Sequence, residues 1–206
     1  MHAHAERDLP DLSALPDLDA IVASLEGQPL HALVAHWVDL FKQRDAIPRR
    51  KDLDPLQFPR LLKHAWIFDA EPDGDIRVSL AGETFTDWYG FNPMGRSLRD
   101  ICRPSVLEVI EDFVRRIVDT PAILLHSVQS VMPNWDEPAG FIRIGLPLAG
   151  AGGTVCHVLG ATLFDKRYFN GLGAVSSSVT KETSYRIHGF TAAAQSPHHW
   201  TAAARI

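Results

Sequence analysis

Three apolar runs in close succession, at 123–132, 141–148 and 155–164, leave this chain little choice of fold. Each has strand length, and the connections at 133–140 and 149–153 are rich in Pro, Asn, Asp and Gly, so the three read as an antiparallel meander. Both faces of these strands are largely apolar, which requires helices or another subunit on each side of the sheet. Two further strand-like runs, 65–69 and 76–80, flank Glu71-Pro72-Asp73-Gly74-Asp75 and make a hairpin. Between hairpin and meander lies a short helical stretch carrying Phe85, Trp88, Tyr89 and Phe91, broken by Gly90, Pro93 and Gly95. A longer helix then opens at Pro104, with Val106, Val109, Ile110, Phe113, Val114 and Ile117 on one face. The order specifies an α+β fold: a five-stranded antiparallel sheet flanked by helices.

Upstream, Leu30, Leu33, Val34, Trp37, Val38, Leu40 and Phe41 recur at three- and four-residue steps. With Pro29 at the first helical position, this predicts an N-terminal amphipathic helix of about four turns. Its apolar face needs a cover, either the sheet or a second copy of the helix. Leu30, Leu33, Val34, Trp37 and Phe41 are therefore the candidate dimer interface. In Leu53-Asp54-Pro55-Leu56-Gln57-Phe58, Asp54 is an N-cap, Gln57 completes a capping box, and Leu53 with Phe58 forms a hydrophobic staple for a short helix ending near His64. The expected organisation is a loosely ordered lead-in over 1–28, the domain with its helix over 29–168, and a Ser-, Thr- and Ala-rich tail over 169–206. That tail is read as flexible, or as an arm that folds on a partner.

Bulk properties exclude several classes. A chain of 206 residues buries one sizeable core. No apolar run approaches the roughly 18–20 residues of a membrane span, and the first residues lack the pattern of a secretory signal, so the expected location is cytoplasmic. A net charge of −5 argues against nucleic acid, and the basic residues between Lys42 and Lys63 read as a solvated face balanced by Asp39, Asp45, Asp52 and Asp54. Cys102 and Cys156 lack any CxxC or metal-type spacing and read as small buried apolar residues.

Candidate chemistry is concentrated in aromatic and isolated polar residues. Trp66 and Phe68 share a strand face, and with Phe85, Trp88, Tyr89, Phe113 and Ile117 they would line a small-molecule cavity. The same rings serve equally as plain core. His126 and Arg143, each interrupting an apolar strand, are the polar candidates for ligand contact, and His157 interrupts a third strand. There is no GxSxG, HExxH, GxxxxGK[ST] or GxGxxG, and the ten histidines do not fall into metal-ligand spacing, so neither catalysis nor a metal is expected and no cofactor is identified. An enzymatic alternative stays open: a small cone-shaped α+β fold using His126 with Asp136 or Asp87 as an acid/base pair.

A series of landmarks supports a family resemblance: Trp37, Pro48-Arg49, Asp54-Pro55, Leu61-Leu62, Gly82, Gly95-Arg96-Ser97-Leu98 and Leu146-Pro147-Leu148. In this order they resemble a family of short bacterial PAS-domain proteins of alphaproteobacterial type, over about residues 29–165. One position departs: the family often has Arg three residues before the strand-closing Gly, where this chain has Ser79, with Arg77 two residues earlier. The resemblance implies small-molecule binding between sheet and helices, signal relay and dimerisation through N-terminal helices. With no kinase, cyclase or DNA-binding segment following, the expectation is a stand-alone sensory or interaction module, homodimeric, acting on an unknown signalling protein.

Overall fold

One antiparallel sheet organises the chain. The computed structural model describes residues 18–130, 139–164 and 177–186. The strands are β1 (Ala65–Ala70), β2 (Ile76–Ala81), β3 (Ala122–Ser130), β4 (Ala139–Ala149), β5 (Val155–Phe164) and β6 (Ser177–Arg186), in the order β2-β1-β5-β4-β3-β6. The hairpin and the meander are as expected, joined where β1 pairs with β5. The helices are α1 (Leu18–Ser24), α2 (His31–Arg44), α3 (Glu83–Tyr89), α4 (Leu98–Ile101) and α5 (Pro104–Asp119).

Four expectations need correction. The stretch read as tail supplies β6, which pairs along β3 from Ala122↔Arg186 to Ser130↔Ser177 and makes the sheet six-stranded. The lead-in contains α1, whose Leu18 and Ile21 are buried and whose Asp19 pairs with Lys42 of α2. Leu30, not Asp or Ser, caps α2, so Pro29 lies just outside that helix. Finally, the segment after Asp54 forms two 3-10 turns, Pro55–Gln57 and Pro59–His64, because each proline opens a turn of its own and lacks the N–H a continuous helix would need. Asp54 does cap, accepting the Leu56 N–H at 3.0 Å. Its own N–H is donated to His36 Nε2 at 3.0 Å rather than to Gln57, whose amide instead bonds the Asp54 carboxylate. Burial holds the His36 imidazole below its ordinary pKa, which suits a ring that must accept.

The proposed dimer face of α2 is spent inside the protomer. Leu30, Leu33, Val34, Trp37 and Phe41 are all buried in the same apolar core as the sheet. Trp37 stacks on Phe41 with centroids 5.6 Å apart and donates its indole N–H to the Pro147 carbonyl at 2.9 Å. The cover this helix required is thus found within the protomer, where α1 and the turn at Pro55–Gln57 pack on it and Trp37 ties it to β4. Next to that contact, the Ala149 N–H donates to the Pro48 carbonyl at 2.9 Å. Asp52, almost fully buried, holds the Arg49 N–H at 2.9 Å and the Arg44 guanidinium at 3.0 Å.

The outer edge of β2 is also closed by the chain itself. Gly95, at φ +79°, donates its N–H to the Val78 carbonyl, and the Arg96 carbonyl accepts the Val78 N–H. Ser97 then donates to the buried Asp75 carboxylate at 2.6 Å and caps α4 by accepting the Arg99 N–H. Arg77 pairs with the same Asp75 at 3.3 Å.

Trp37→Phe keeps the ring but orphans a buried carbonyl, and is expected to cost about 1–3 kcal/mol. Urea unfolding should show a lower midpoint at unchanged slope; an unmoved midpoint would contradict the role given to this bond.

Candidate functional site

The inner face of the sheet, toward α3 and α5, is built on bare backbone. Gly145 of β4 and Gly160 of β5 are ladder partners, and Gly160 is also opposite Trp66 of β1. A Cβ at Gly160 would lie 2.1 Å from the Trp66 ring, and one at Gly145 would lie 2.5 Å from Ile117 and 2.6 Å from Phe113. The missing side chains are what let these groups lie on the sheet. Trp66 stacks on Phe68 at 4.3 Å and meets Phe113 edge-on at 6.3 Å, while Phe85 packs against both Trp66 and Phe68. The indole N–H of Trp66 is satisfied by Thr162 Oγ1 at 2.9 Å. Five of the expected cavity residues, Trp66, Phe68, Phe85, Phe113 and Ile117, therefore meet as packed core.

The other end of this face is charged. His126 of β3 and Arg143 of β4 are ladder partners, 3% and 7% exposed. Arg143 places its guanidinium 4.2 Å from the Phe113 centroid and one nitrogen 3.3 Å from His126 Nδ1, and His126 meets Phe113 edge-on at 4.6 Å. Phe141 lies on a further side of the guanidinium at 5.6 Å. Tyr89 packs on Phe85 and Phe91; its hydroxyl is 3.3 Å from Cys102 Sγ, and burial, then the thiol, push its pKa up while Arg143 pulls the other way. Burial likewise pushes the Cys102 thiol up, although Cys102, like Cys156, is only partly buried where a fully buried residue was expected. Trp88, half-buried, stacks on Phe164 at 4.9 Å, and Phe164 in turn meets Phe141 at 5.5 Å, so it joins this end through two intervening rings. Asp136, one partner considered for His126, lies outside the described residues.

Sequence reasoning missed Gly145, Gly160 and Thr162, although a glycine inside a strand run is a usable sign of close approach. It also missed a polar pair on the opposite face. Asp69 of β1 and His157 of β5 are ladder partners, joined Nδ1 to Oδ1 at 2.7 Å. Ser79 donates to the same carboxylate oxygen at 2.8 Å. Bonding to Asp69, then to Cys156, raises His157 from its ordinary 6.5 to about 10. Among the described residues, no group of three His, Cys, Asp or Glu side chains is arranged to hold a metal, and no helix is long and apolar enough to cross a membrane.

Two outcomes test this geometry. Gly160→Ala forces a methyl into Trp66 and is expected to cost about 1–3 kcal/mol, partly recovered by adding Trp66→Phe; a neutral Gly160→Ala would contradict it. For Asp69 and His157, the folded value of His157 lies above the ordinary one. The pair's contribution is therefore complete below about pH 6.5 and is lost as pH rises toward about 10. Urea unfolding of the wild type and of Asp69→Asn should show a stability gap that shrinks across that range; a gap that widens would reverse the assignment.

Comparison with known proteins agrees with this architecture. A family model described as PAS domain matches residues 25–196, a span that includes β6. Among solved structures, the Rhodobacter sphaeroides LOV protein is 19% identical with a TM-score of 0.36, covering 57% of this chain and 72% of that one. The PAS domain of Bordetella pertussis BvgS is 15% identical with a TM-score of 0.38, covering 57% and 93%. Curated proteins provide no match. At such scores the individual structures add no argument, but the family match spans well over half of the chain, and the protein belongs to the PAS domain family.

Proposed function

We propose that this PAS domain is a non-catalytic sensory module that takes a small carboxylate at the charged end of its inner face. The observation that carries this reading is the pairing of Arg143 with His126 against the rings of Phe113 and Phe141. Placing a guanidinium in such surroundings costs several kcal/mol of desolvation, a cost that a bound carboxylate would help to offset. A guanidinium presents a planar donor fork suited to a carboxylate, and flanking rings suit an apolar body attached to it. The Trp66 end contributes differently. Its rings pack on each other and on Gly145 and Gly160, which argues against a large planar chromophore stacked there. The enzymatic alternative has less support, since His126 Nδ1 faces the Arg143 guanidinium, and the residue opposite His126 in the β3–β6 ladder is Glu182 rather than an Asp of the expected pair.

Benzoate is a suitable probe. It is expected to raise the melting temperature of the wild type by a few degrees at millimolar concentration and to leave Arg143→Gln unmoved. Equal shifts in both proteins would remove Arg143 from the site, and no shift in the wild type would favour a module working through protein contacts.

A further inference from the structure

The basic residues that read from the sequence as a balanced, solvated face lose part of their counter-charge in the fold. Asp52, in their midst, is withdrawn: its side chain is 5% exposed and tied to Arg44 and Arg49. Arg50 and Lys51 open a 3-10 turn over Arg50–Asp52, Arg60 and Lys63 lie on the turn Pro59–His64, and all four are exposed. Within residues 50–63 this leaves Asp54 as the one surface acid, and its carboxylate holds the Leu56 N–H and the Gln57 amide. None of the four cations enters an ion pair among the described residues, and neither do Glu83 and Asp87 of α3, the helix packed on the second turn. A chain of net charge −5 thus carries a local surface of the opposite sign.

Large apolar side chains stand out of the same segment. Leu56 is 80% exposed, more than any other large hydrophobic residue among those described, and Leu62 is 40% exposed. Leu56 is held there by a built turn. Asp54 caps its N–H, Pro55 opens the turn, and the buried Phe58 closes it by donating its N–H to the Pro55 carbonyl at 3.2 Å. In a 3-10 turn residues three apart eclipse. The buried Leu61 therefore points one side of Pro59–His64 inward, which leaves Arg60 with Lys63 on one outward side and Pro59 with Leu62 on the other. Leucines held out among cations match the anionic interface of a bilayer, where apolar side chains enter the acyl boundary and Lys and Arg meet the phosphates. An acidic protein segment fits less well. A side chain as exposed as Leu56 projects from the surface, whereas an amphipathic partner helix needs a groove for its apolar face. We propose that residues 50–63 form a peripheral membrane-docking surface for anionic phospholipid, with Leu56 and Leu62 inserted and Lys51, Arg60 and Lys63 on the headgroups. None of these residues belongs to the carboxylate site.

Sedimentation of the full chain with vesicles tests this surface. The protein is expected to pellet with vesicles of equal parts phosphatidylglycerol and phosphatidylcholine and to stay in solution with phosphatidylcholine alone. Raising salt toward about 0.5 M should weaken the binding. Arg60→Glu and Lys63→Glu should each lower the partition constant at least about fivefold. Arg103→Glu, an equal change of charge at the start of α5, should leave it within about twofold. Leu56→Ser should lower it several-fold at unchanged charge. All of these side chains are exposed, so the melting temperatures should match that of the wild type and would reveal a variant that misfolds. An effect of Arg103→Glu as large as that of Arg60→Glu would reduce the binding to net charge and overturn the site, and indifference to Leu56→Ser would overturn insertion. A wild type that stays in solution with the anionic vesicles would overturn the membrane as occupant in favour of an acidic protein segment.

Discussion

Everything on the inner face depends on two strands having no side chains where they run side by side. Gly145 and Gly160 create a strip of naked backbone at the centre of the sheet, and the Trp66 indole with Phe113 and Ile117 lies directly upon it. Because the interior is close-packed, filling that strip with rings fixes how near α5 comes to the sheet. This in turn sets where Phe113 stands, and Phe113 is the surface on which both His126 and Arg143 rest. The charged end is thus positioned by an apolar contact at the other end.

The landmarks behind the family resemblance turn out to be structural. Trp37 bonds the carbonyl of Pro147, so the leading helix and the Leu-Pro-Leu run are two halves of one contact. Pro48 bonds Ala149 just beyond it. Gly82 lies so close to the Leu62 and Lys63 carbonyls that a Cβ there would be 2.5 Å from both, which ties it to the Leu-Leu pair. Gly95 and Arg96 bond Val78. These residues hold the N-terminal segments against the sheet, and none of them lies in the charged end. The pattern therefore speaks strongly for the fold and says little about what the domain senses.

How much was legible follows from this distinction. Strand and helix periods located β1 to β5 and α5, because apolar alternation and helical spacing are local properties. The four packed rings, Trp66, Phe68, Phe85 and Phe113, were also identified, since aromatic spacing survives in the linear text. Residues 177–186 defeated the reading: Ser, Thr, Lys and Glu carry no apolar alternation, and only pairing with β3 makes them a strand. The buried face of α2 was seen as apolar, yet local spacing cannot say whether a helix covers its own sheet or a partner's. Two β-bulges, where the β1–β2 register skips Ser79 and the β4–β5 register skips Cys156, were out of reach for a related reason, being properties of two strands at once. Ser79 was noted only as a departure from the resembling family, whereas in the fold its hydroxyl holds Asp69.

The closure of β2 has a consequence for how copies of this molecule behave when crowded together. A strand at the rim of a sheet ordinarily offers free amides and carbonyls as a template on which a foreign strand can grow. Here Val78 directs both of its main-chain groups to Gly95 and Arg96. The two-residue clasp denies that rim to cross-chain pairing, and so protects the hairpin half of the sheet from aggregation.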